Sequence, residues 1–308
     1  MQTMGKPRRR VEILPVLGLG MIQSGDDLAT LVVGALQASG QGFEDGDVLV
    51  LTSKIVSKAE GRIVELSGVV PSAEARALAK VSGREARFCE VLLRNTKRVW
   101  GLIATGKKGA EWAAKLPEVF PVGPDEVARM FASEPTMILA ELPNGLCLTD
   151  AGIDSSNVEG TDRVILLPAD ANQSCRNLAD ALRRSTGRTV AVVVSDTELR
   201  TNRFGAVDHA IGSWGIQTVA GHFGEVDLSG RPKNGGMEAT VDSIVAAASL
   251  TMGNCAEGVP AALVRGATYR AVERGMMPIQ EPPSSYLKGV LFNIWCRLRL
   301  FYYRLVGA

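Results

Sequence analysis

The segment TVAVVVSDT, residues 189–197, constrains the fold more than any other part of the sequence. Five of its first six residues are β-branched, and polar residues follow directly. A continuous β-branched run is typical of a strand that is covered on both faces. We therefore expect a buried strand inside a layered α/β or α+β domain, with polar side chains just past the end of that strand.

Shorter segments supply the other elements of such a domain. Four segments are predicted to be helical. In two of them apolar residues share one face, and these two have a start signal at Asp26 and Asp27 and a stop signal at Gly187, respectively. The predicted helices cover residues 26–37, 72–98, 173–186 and 240–252. The other predicted strands are VEILP, DVLVLTS, VILLP and VPAALVR.

Composition excludes several classes of protein. The 34 Lys and Arg residues nearly balance the 33 Asp and Glu residues, so no global field favours nucleic acid. Two histidines, His209 and His222, are too few for a three-histidine metal site. The five cysteines are widely spaced, which indicates a reduced cytoplasmic chain in which each cysteine is a small buried hydrophobe. No run reaches about 18 apolar residues, so we expect no transmembrane span.

Polar residues after the predicted strands are the candidates for catalysis. Asp196 and Thr197 offer hard oxygen ligands for Mg²⁺ or Mn²⁺, and Asp154 in AGIDSSN adds a second carboxylate. Arg200 and Arg203 are three residues apart, so a helical or turn geometry would direct both guanidinium groups at one anion. The alternative to a catalytic role is that these residues form ordinary strand-end turns with ion pairs on the surface.

Phosphate binding is suggested by two segments. Lys54, with a second lysine four residues later, stands beside Ser53 after a predicted strand and could serve as a point charge for phosphate. The loop MGNCAEGVP, residues 252–260, could bring backbone amides near a nucleotide. By contrast, GLIATGKKG has the spacing of a phosphate loop, but Lys108 stands where Ser or Thr is needed, so we expect a solvated basic turn there.

Taken in order, these segments resemble the coenzyme F420-0:γ-glutamyl ligase family. The resemblance covers most of residues 11–100 and 145–266. It rests on GLGMIQSGDDL, GDVLVLTSKIVSKAEGRIVEL, AGIDSSNV, the SDTxxRxxRxG pattern from Ser195 to Gly205, AIGSWGI, and D-x-x-x-AAA-x-L-x-MG followed by VPAALVRG. It implies an α+β, mixed-sheet ligase fold and a homodimer. It also implies activation of a carboxylate with GTP, through an acyl phosphate, and amide-bond formation with L-glutamate.

The resemblance further implies the site residues and cofactors. Divalent Mg²⁺ or Mn²⁺ would be held by Asp154, Asp196 and Thr197, with K⁺ as a further candidate ion, while Arg200 and Arg203 would take part in catalysis. The acceptor would be coenzyme F420-0 or a related small carboxylate. The residues that would contact GTP are Gly18, Leu19, Gly20, Met21, Ser53, Lys54, Lys58, Asn157, Met252, Gly253, Asn254, Glu257, Gly258 and Val259.

Three departures from the family pattern leave the acceptor open. Leu199 replaces the usual Gly before the first arginine, Asn254 stands at the last metal-binding position, and residues 94–96 read Arg-Asn-Thr where the family tends to have Glu-Ser. A folate or a peptide-like metabolite is therefore an alternative acceptor. A metal-dependent phosphotransferase or phosphatase, and an inactive nucleotide-binding relative, are alternative functions.

The C-terminal segment lies outside the resemblance. We expect a ligase region at 11–283, with an unmatched, proline-broken insertion at about 101–136, and an amphipathic helix within 284–308. Four cations and no acid surround its apolar stripe, so it would either dock on the body or a dimer partner, or contact an anionic membrane peripherally. The expected location is the cytoplasm, with membrane association as the alternative.

Overall fold

The protein is described by a computed structural model at residues 10–105, 111–112, 114–116, 118–119, 122–158, 160, 162–199, 205–277 and 295. These residues form two compact units. The first contains the chain up to Leu66 and Gly152–Met277, and the second contains Ser67–Ala151. Both units combine helices with strands, and the main sheet of the first unit is mixed, so the expected α+β class is confirmed.

Strands and helices are numbered separately, each in chain order. The described strands are β1 (Glu12–Pro15), β2 (Val48–Thr52), β3 (Ile63–Glu65), β4 (Arg98–Ala104), β5 (Thr136–Glu141), β6 (Cys147–Thr149), β7 (Arg163–Ile165), β8 (Ala191–Leu199), β9 (Ala206–Trp214), β10 (Ala220–Gly221), β11 (Met237–Glu238) and β12 (Ala261–Arg265). The described helices are α1 (Leu28–Ala38), α2 (Ser53–Ala59), α3 (Ala73–Ser82), α4 (Ala86–Arg94), α5 (Pro124–Ser133), α6 (Ala171–Thr186) and α7 (Thr240–Met252).

The first unit is organised around a five-stranded sheet with the order β1-β12-β2-β8-β9. Only β2 and β8 run parallel, and the other neighbours are antiparallel. Residues 48–51 of β2 are completely buried, as are Val192 and Val193 of β8. Because consecutive residues of these strands are buried, both faces of the sheet centre are covered, and the strands are uninterrupted apolar runs. Helix α6 packs on β8 and β9, and α7 packs on β9 and β12.

Local signals explain the helices of this unit. Asp27 caps α1, since its carboxylate accepts hydrogen bonds from the backbone N–H groups of Ala29 and Thr30. Helix α6 ends at Gly187, as predicted from the sequence. The start of α6 packs against β9 so closely that a Cβ atom on Gly212 would lie 2.4 Å from the Cβ atom of Ala171. Glycine at this position therefore allows the helix to approach the sheet.

The parallel pair of strands determines where polar side chains meet. Thr52, the last residue of β2, is paired in register with Ser195 of β8, so the residues that follow both positions emerge at one edge of the sheet. The expectation that β8 stops before its polar residues is wrong. The strand continues to Leu199 because β9 supplies antiparallel partners for Asp196 and Thr197, at His209 and Asp208.

The second unit contains the antiparallel sheet β4-β5-β6 together with α3, α4 and α5. The single helix expected over residues 72–98 is in fact two helices. Gly83 separates them with a φ of 73°, a left-handed conformation that ends α3. Arg84 follows, pairs with the half-buried Asp150 at 3.2 Å, and stacks 4.4 Å from the ring centre of Phe88.

The stretch expected as an insertion contains regular structure. Residues 101–104 complete β4, and α5 occupies Pro124–Ser133, whereas residues 106–110 of the GKKG segment lie outside the described residues. The domain division at 11–283 and 284–308 stays a prediction. The C-terminal helix also lies outside the described residues, apart from Trp295, which is helical and half-exposed.

Two further expectations concern cysteines and membranes. Cys89 and Cys175 are buried as expected, but Cys147 on β6 is only partly buried, and Cys255 is exposed because it lies in the loop after α7. No helix in the described part of the chain has both the length and the apolar character needed to cross a membrane.

Candidate active site

The parallel strands β2 and β8 bring Ser53 and Asp196 together. Ser53 begins α2 immediately after β2, and its hydroxyl donates a hydrogen bond of 3.0 Å to Oδ1 of Asp196. The two residues are 143 positions apart in the chain. Their meeting follows from the register in which Thr52 pairs with Ser195. The site therefore lies where β2 ends beside β8, two adjacent central strands of the main sheet.

Lys54 and Asp154 form the second contact of the site. The Nζ atom of Lys54 lies 2.8 Å from Oδ2 of Asp154 and 2.7 Å from the hydroxyl oxygen of Ser156. Ser156 in turn donates to both carboxylate oxygens of Asp154, at 2.6 Å from its backbone N–H and at 2.9 Å from its hydroxyl. Two backbone hydrogen bonds tie Asp154 to Ile165 at the end of β7. This small network aligns one ammonium group with one carboxylate.

The two carboxylates of the site have opposite pKa shifts. Burial alone would raise the pKa of Asp154, but the hydrogen bonds from Lys54 and Ser156 outweigh it, so the pKa lies below its ordinary value. Burial raises the pKa of Asp196 to about 7, against the hydrogen bond from Ser53, and the negative charges of Glu198 and Asp154 add to the rise. Asp154 therefore already has a cationic partner, whereas the ionised form of Asp196 is electrostatically under-compensated.

Thr197 connects the strand to the loop that follows α7. Its hydroxyl lies 2.7 Å from Oδ1 of Asp208 and 3.3 Å from Oδ1 of Asn254. The loop is held by Glu257, whose carboxylate accepts a 2.7 Å hydrogen bond from the backbone N–H of Cys255. This hydrogen bond is the main reason why the pKa of Glu257 is lowered. Two of the residues expected in the site, Thr197 and Asn254, are thus in contact.

The glycine-containing loop before α1 has an open backbone. Gly18 and Gly20 have φ angles of 81° and 66°, and no atom lies within 4 Å of the point that a Cβ would occupy at either position. Leu19 is buried between them and anchors the loop, while Met21 is exposed. Such a conformation leaves backbone amides accessible to a ligand.

Of the other residues expected in the site, some lie in the described part of the chain and some do not. Lys58 is buried on α2, and Asn157 has a left-handed φ of 54° in the turn after Asp154. Arg200 and Arg203 lie outside the described residues. The residue patterns missed Ser156 and Asp208. Ser156 lies within the AGIDSSN segment, so its proximity to Asp154 was available as a signal, but no local pattern marks Asp208.

The donor atoms of this site suit a hard divalent cation. The candidates are carboxylate, hydroxyl and amide oxygens, which Mg²⁺ and Mn²⁺ prefer. Within the described ranges, no group of three or more His, Cys, Asp or Glu side chains is placed to hold a metal ion. A metal ion at Asp196 would be the cationic partner that this carboxylate lacks among the described residues, whereas Asp154 already has Lys54. The residues therefore fit a divalent ion whose coordination is completed by substrate phosphates and water.

Metal affinity should depend on pH because a proton competes for Asp196. Its carboxyl has a pKa of about 7 without metal. Below that pH the proton must be displaced, so we expect Mn²⁺ affinity to fall roughly tenfold from pH 6.5 to 5.5 and to level off above pH 8. Titration calorimetry across this range checks the prediction. An affinity that is independent of pH between 5.5 and 8 would contradict the assignment of Asp196 as a ligand.

Comparison with known proteins agrees with the resemblance found in the sequence. The family model for F420-0:Gamma-glutamyl ligase matches residues 17–266. The chain is 33% identical over 274 residues to the coenzyme F420:L-glutamate ligase of Methanothermobacter thermautotrophicus, which covers 88% of this chain and 96% of that protein. It is 35% identical over 257 residues to the enzyme of the same name from Archaeoglobus fulgidus, which covers 83% of this chain and 88% of that protein. The Methanopyrus kandleri enzyme of that name is 34% identical over 262 residues, which cover 85% of this chain and 88% of that protein. The chain therefore belongs to the F420-0:gamma-glutamyl ligase family.

Proposed function

We propose that this protein is a GTP- and metal-dependent ligase that joins a carboxylate acceptor to L-glutamate. The observation that carries the proposal is the polar edge of the main sheet, where Ser53 contacts Asp196 and Lys54 contacts Asp154. Relatives named coenzyme F420:L-glutamate ligase match most of this chain, so coenzyme F420-0 or a closely related metabolite is the proposed acceptor.

The proposed reaction has two steps. The acceptor carboxylate first attacks the γ-phosphorus of GTP, which forms an acyl phosphate and releases GDP. The α-amino nitrogen of glutamate then attacks the acyl carbon, inorganic phosphate leaves with the bonding electron pair, and the nitrogen loses a proton. Activation is needed because a free carboxylate is a poor acyl donor. A bound divalent ion would offset the negative charge that gathers during phosphoryl transfer.

The chain's own residues have distinct proposed roles. Asp154, Asp196 and Thr197 would hold the divalent ions. Lys54 would bind phosphate oxygens as a point charge, and its ammonium group lies 2.8 Å from Oδ2 of Asp154, one of the proposed metal ligands. The open backbone of the loop at residues 18–21 and the loop at 252–259 would contact the nucleotide. Arg200 and Arg203 would bind an anionic part of the acceptor or the transferring phosphate.

The test is an assay of the purified protein with a defined set of components. GTP or ATP, Mg²⁺ or Mn²⁺, L-glutamate, and a panel of acceptors that includes coenzyme F420-0 and a folate are combined, and products are identified by mass spectrometry. A product heavier than the acceptor by one glutamate residue, formed only when nucleotide and metal are present, is expected. Phosphate release without any requirement for glutamate would indicate a phosphatase or phosphotransferase instead. Nucleotide binding without turnover would indicate an inactive relative.

The homodimer implied by the resemblance is a further proposal. The hairpin formed by residues 220–238 exposes apolar side chains to water, among them Phe223, Val226, Met237 and the fully exposed Leu228 at its turn. A second copy would cover such a surface. Sedimentation at micromolar concentration should therefore show particles of twice the chain mass of 32.7 kDa. Monomers alone would contradict a stable dimer. Membrane contact through the C-terminal segment and a requirement for K⁺ stay predictions.

A further inference from the structure

Asp208 is a buried carboxylate beside the proposed metal site. It lies on β9 directly opposite Thr197 of β8 and is only 3% exposed. The hydroxyl of Thr197 is 2.7 Å from its Oδ1 atom. Across the part of the chain that the structure describes, this is the one hydrogen bond that the Asp208 side chain makes. A cation that lies nearby stabilises a buried carboxylate.

The Thr197 hydroxyl cannot serve both of its oxygen neighbours with its proton. A hydroxyl has one proton and two lone pairs, whereas Oδ1 of Asp208 and Oδ1 of Asn254 are both acceptors. The contact to Asp208 is shorter by 0.6 Å, and its acceptor is a carboxylate, so the proton belongs to that hydrogen bond. The lone pairs of Thr197 are then directed away from Asp208.

This orientation is the one that a hydroxyl ligand needs. A hydroxyl that binds a metal must present a lone pair to the ion and give its proton to another acceptor. The negative charge of Asp208 also lies one hydrogen bond away from Thr197. That charge makes Asp208 the stronger acceptor for the threonine proton, because the other oxygen near this hydroxyl, Oδ1 of Asn254, is an uncharged amide oxygen.

We propose that Asp208 is a positioning residue of the divalent-metal site, which accepts the proton of the Thr197 hydroxyl so that its oxygen can bind the ion. Asp208 acts through Thr197 and does not itself touch substrate. The inference rests on the proposed function, because it assumes that the ligase uses a divalent ion at Thr197.

The decisive variant is Asp208→Asn, which keeps the shape of the side chain but removes its charge. Its amide group can donate to Thr197, which would turn the threonine proton toward the ion. Mn²⁺ binding to the full chain with GTP, measured by the electron paramagnetic resonance signal of free Mn²⁺, should weaken by roughly 10- to 100-fold. Asp180→Asn, the same change on the exposed face of α6, should leave Mn²⁺ affinity unchanged.

A double-mutant cycle separates positioning from a general structural role. Thr197→Ser keeps the hydroxyl and should retain Mn²⁺ affinity, while Thr197→Val should lose it. If Asp208 acts through that hydroxyl, Asp208→Asn should have little further effect in the Thr197→Val background. Fully additive losses, or unchanged Mn²⁺ affinity in a folded Asp208→Asn protein, would overturn the inference. Thermal unfolding of the metal-free variants establishes that they fold, and Asp208→Ser replaces Asp208→Asn if the latter does not.

The outcomes also distinguish this inference from the proposed function. A wild-type protein that binds Mn²⁺ with the expected dependence on Asp208 but joins no acceptor to glutamate would overturn the ligase proposal alone. A wild-type protein that ligates, but whose Mn²⁺ affinity is indifferent to Asp208, would overturn the positioning role alone. Failure of the wild-type protein to bind Mn²⁺ in the presence of GTP would overturn both.

Discussion

Asp196→Asn should abolish nearly all ligase activity while leaving the protein folded. The variant removes a metal-binding charge but keeps an oxygen that can accept the hydrogen bond from Ser53. A metal ion stabilises the transferring phosphoryl group by several kcal/mol, and about 4 kcal/mol corresponds to roughly a thousandfold in rate. We therefore expect kcat to fall by about three orders of magnitude, as measured by the glutamate-addition assay.

The stability of this variant provides an internal check. Burial raises the pKa of Asp196 from 3.8 to about 7, so ionisation of this carboxyl costs the folded, metal-free protein stability that grows as the pH rises above 3.8 and is complete above about pH 7. The neutral Asn side chain removes this cost, and the midpoint of thermal unfolding at pH 8 should be unchanged or higher without metal. Asp180→Asn on α6 is the matched control and should retain full activity. Full activity in Asp196→Asn would eliminate the assignment of this residue to the metal site.

Lys54→Met should weaken nucleotide binding more than it slows the chemical step. The Met side chain keeps much of the apolar stem of lysine but cannot donate to phosphate or to Asp154. A charge-assisted hydrogen bond contributes about 1.5–3 kcal/mol, so KM for GTP should rise by roughly 10- to 100-fold. Steady-state kinetics at saturating glutamate and acceptor would measure the rise.

The same variant should change the titration of Asp154. The hydrogen bond from Lys54 is the largest influence that lowers the pKa of this carboxyl, and burial alone would raise it. Removal of the ammonium group should therefore raise the pKa of Asp154, which NMR titration of a labelled sample can detect. Lys80→Met, on the exposed side of α3, is the matched control and should change neither quantity. An unchanged KM for GTP in Lys54→Met would exclude Lys54 from the nucleotide site.

Local patterns in the sequence predicted much of the scaffold. Helices α1, α6 and α7 were predictable because their apolar residues recur at helical spacing and because Asp27 and Gly187 mark a start and a stop. The buried strands β2, β8 and β12 were predictable because a strand covered on both faces needs a continuous apolar run. These signals are local, since they depend on neighbouring residues along the chain.

Local patterns failed where a distant partner decides the conformation. The polar end of β8 stays in strand conformation because β9 pairs with it, although polar residues such as Asp196 and Thr197 resemble a strand-end turn in the sequence. A second failure has a local cause. Residues 72–98 divide into two helices at Gly83 because this glycine adopts a left-handed conformation, which the spacing of apolar residues does not reveal.

The candidate site shows the same division between sequence and tertiary structure. The sequence by itself determined which side chains are chemically able to bind a divalent ion or phosphate, because donor type is a property of each residue. Only the tertiary structure decided which of them meet. Ser53 contacts Asp196 because β2 and β8 are parallel neighbours in register, and Asp208 accepts from Thr197 because β9 returns antiparallel beside β8. Sheet order and register arise from the packing of the whole domain, so no local pattern along the chain could specify them.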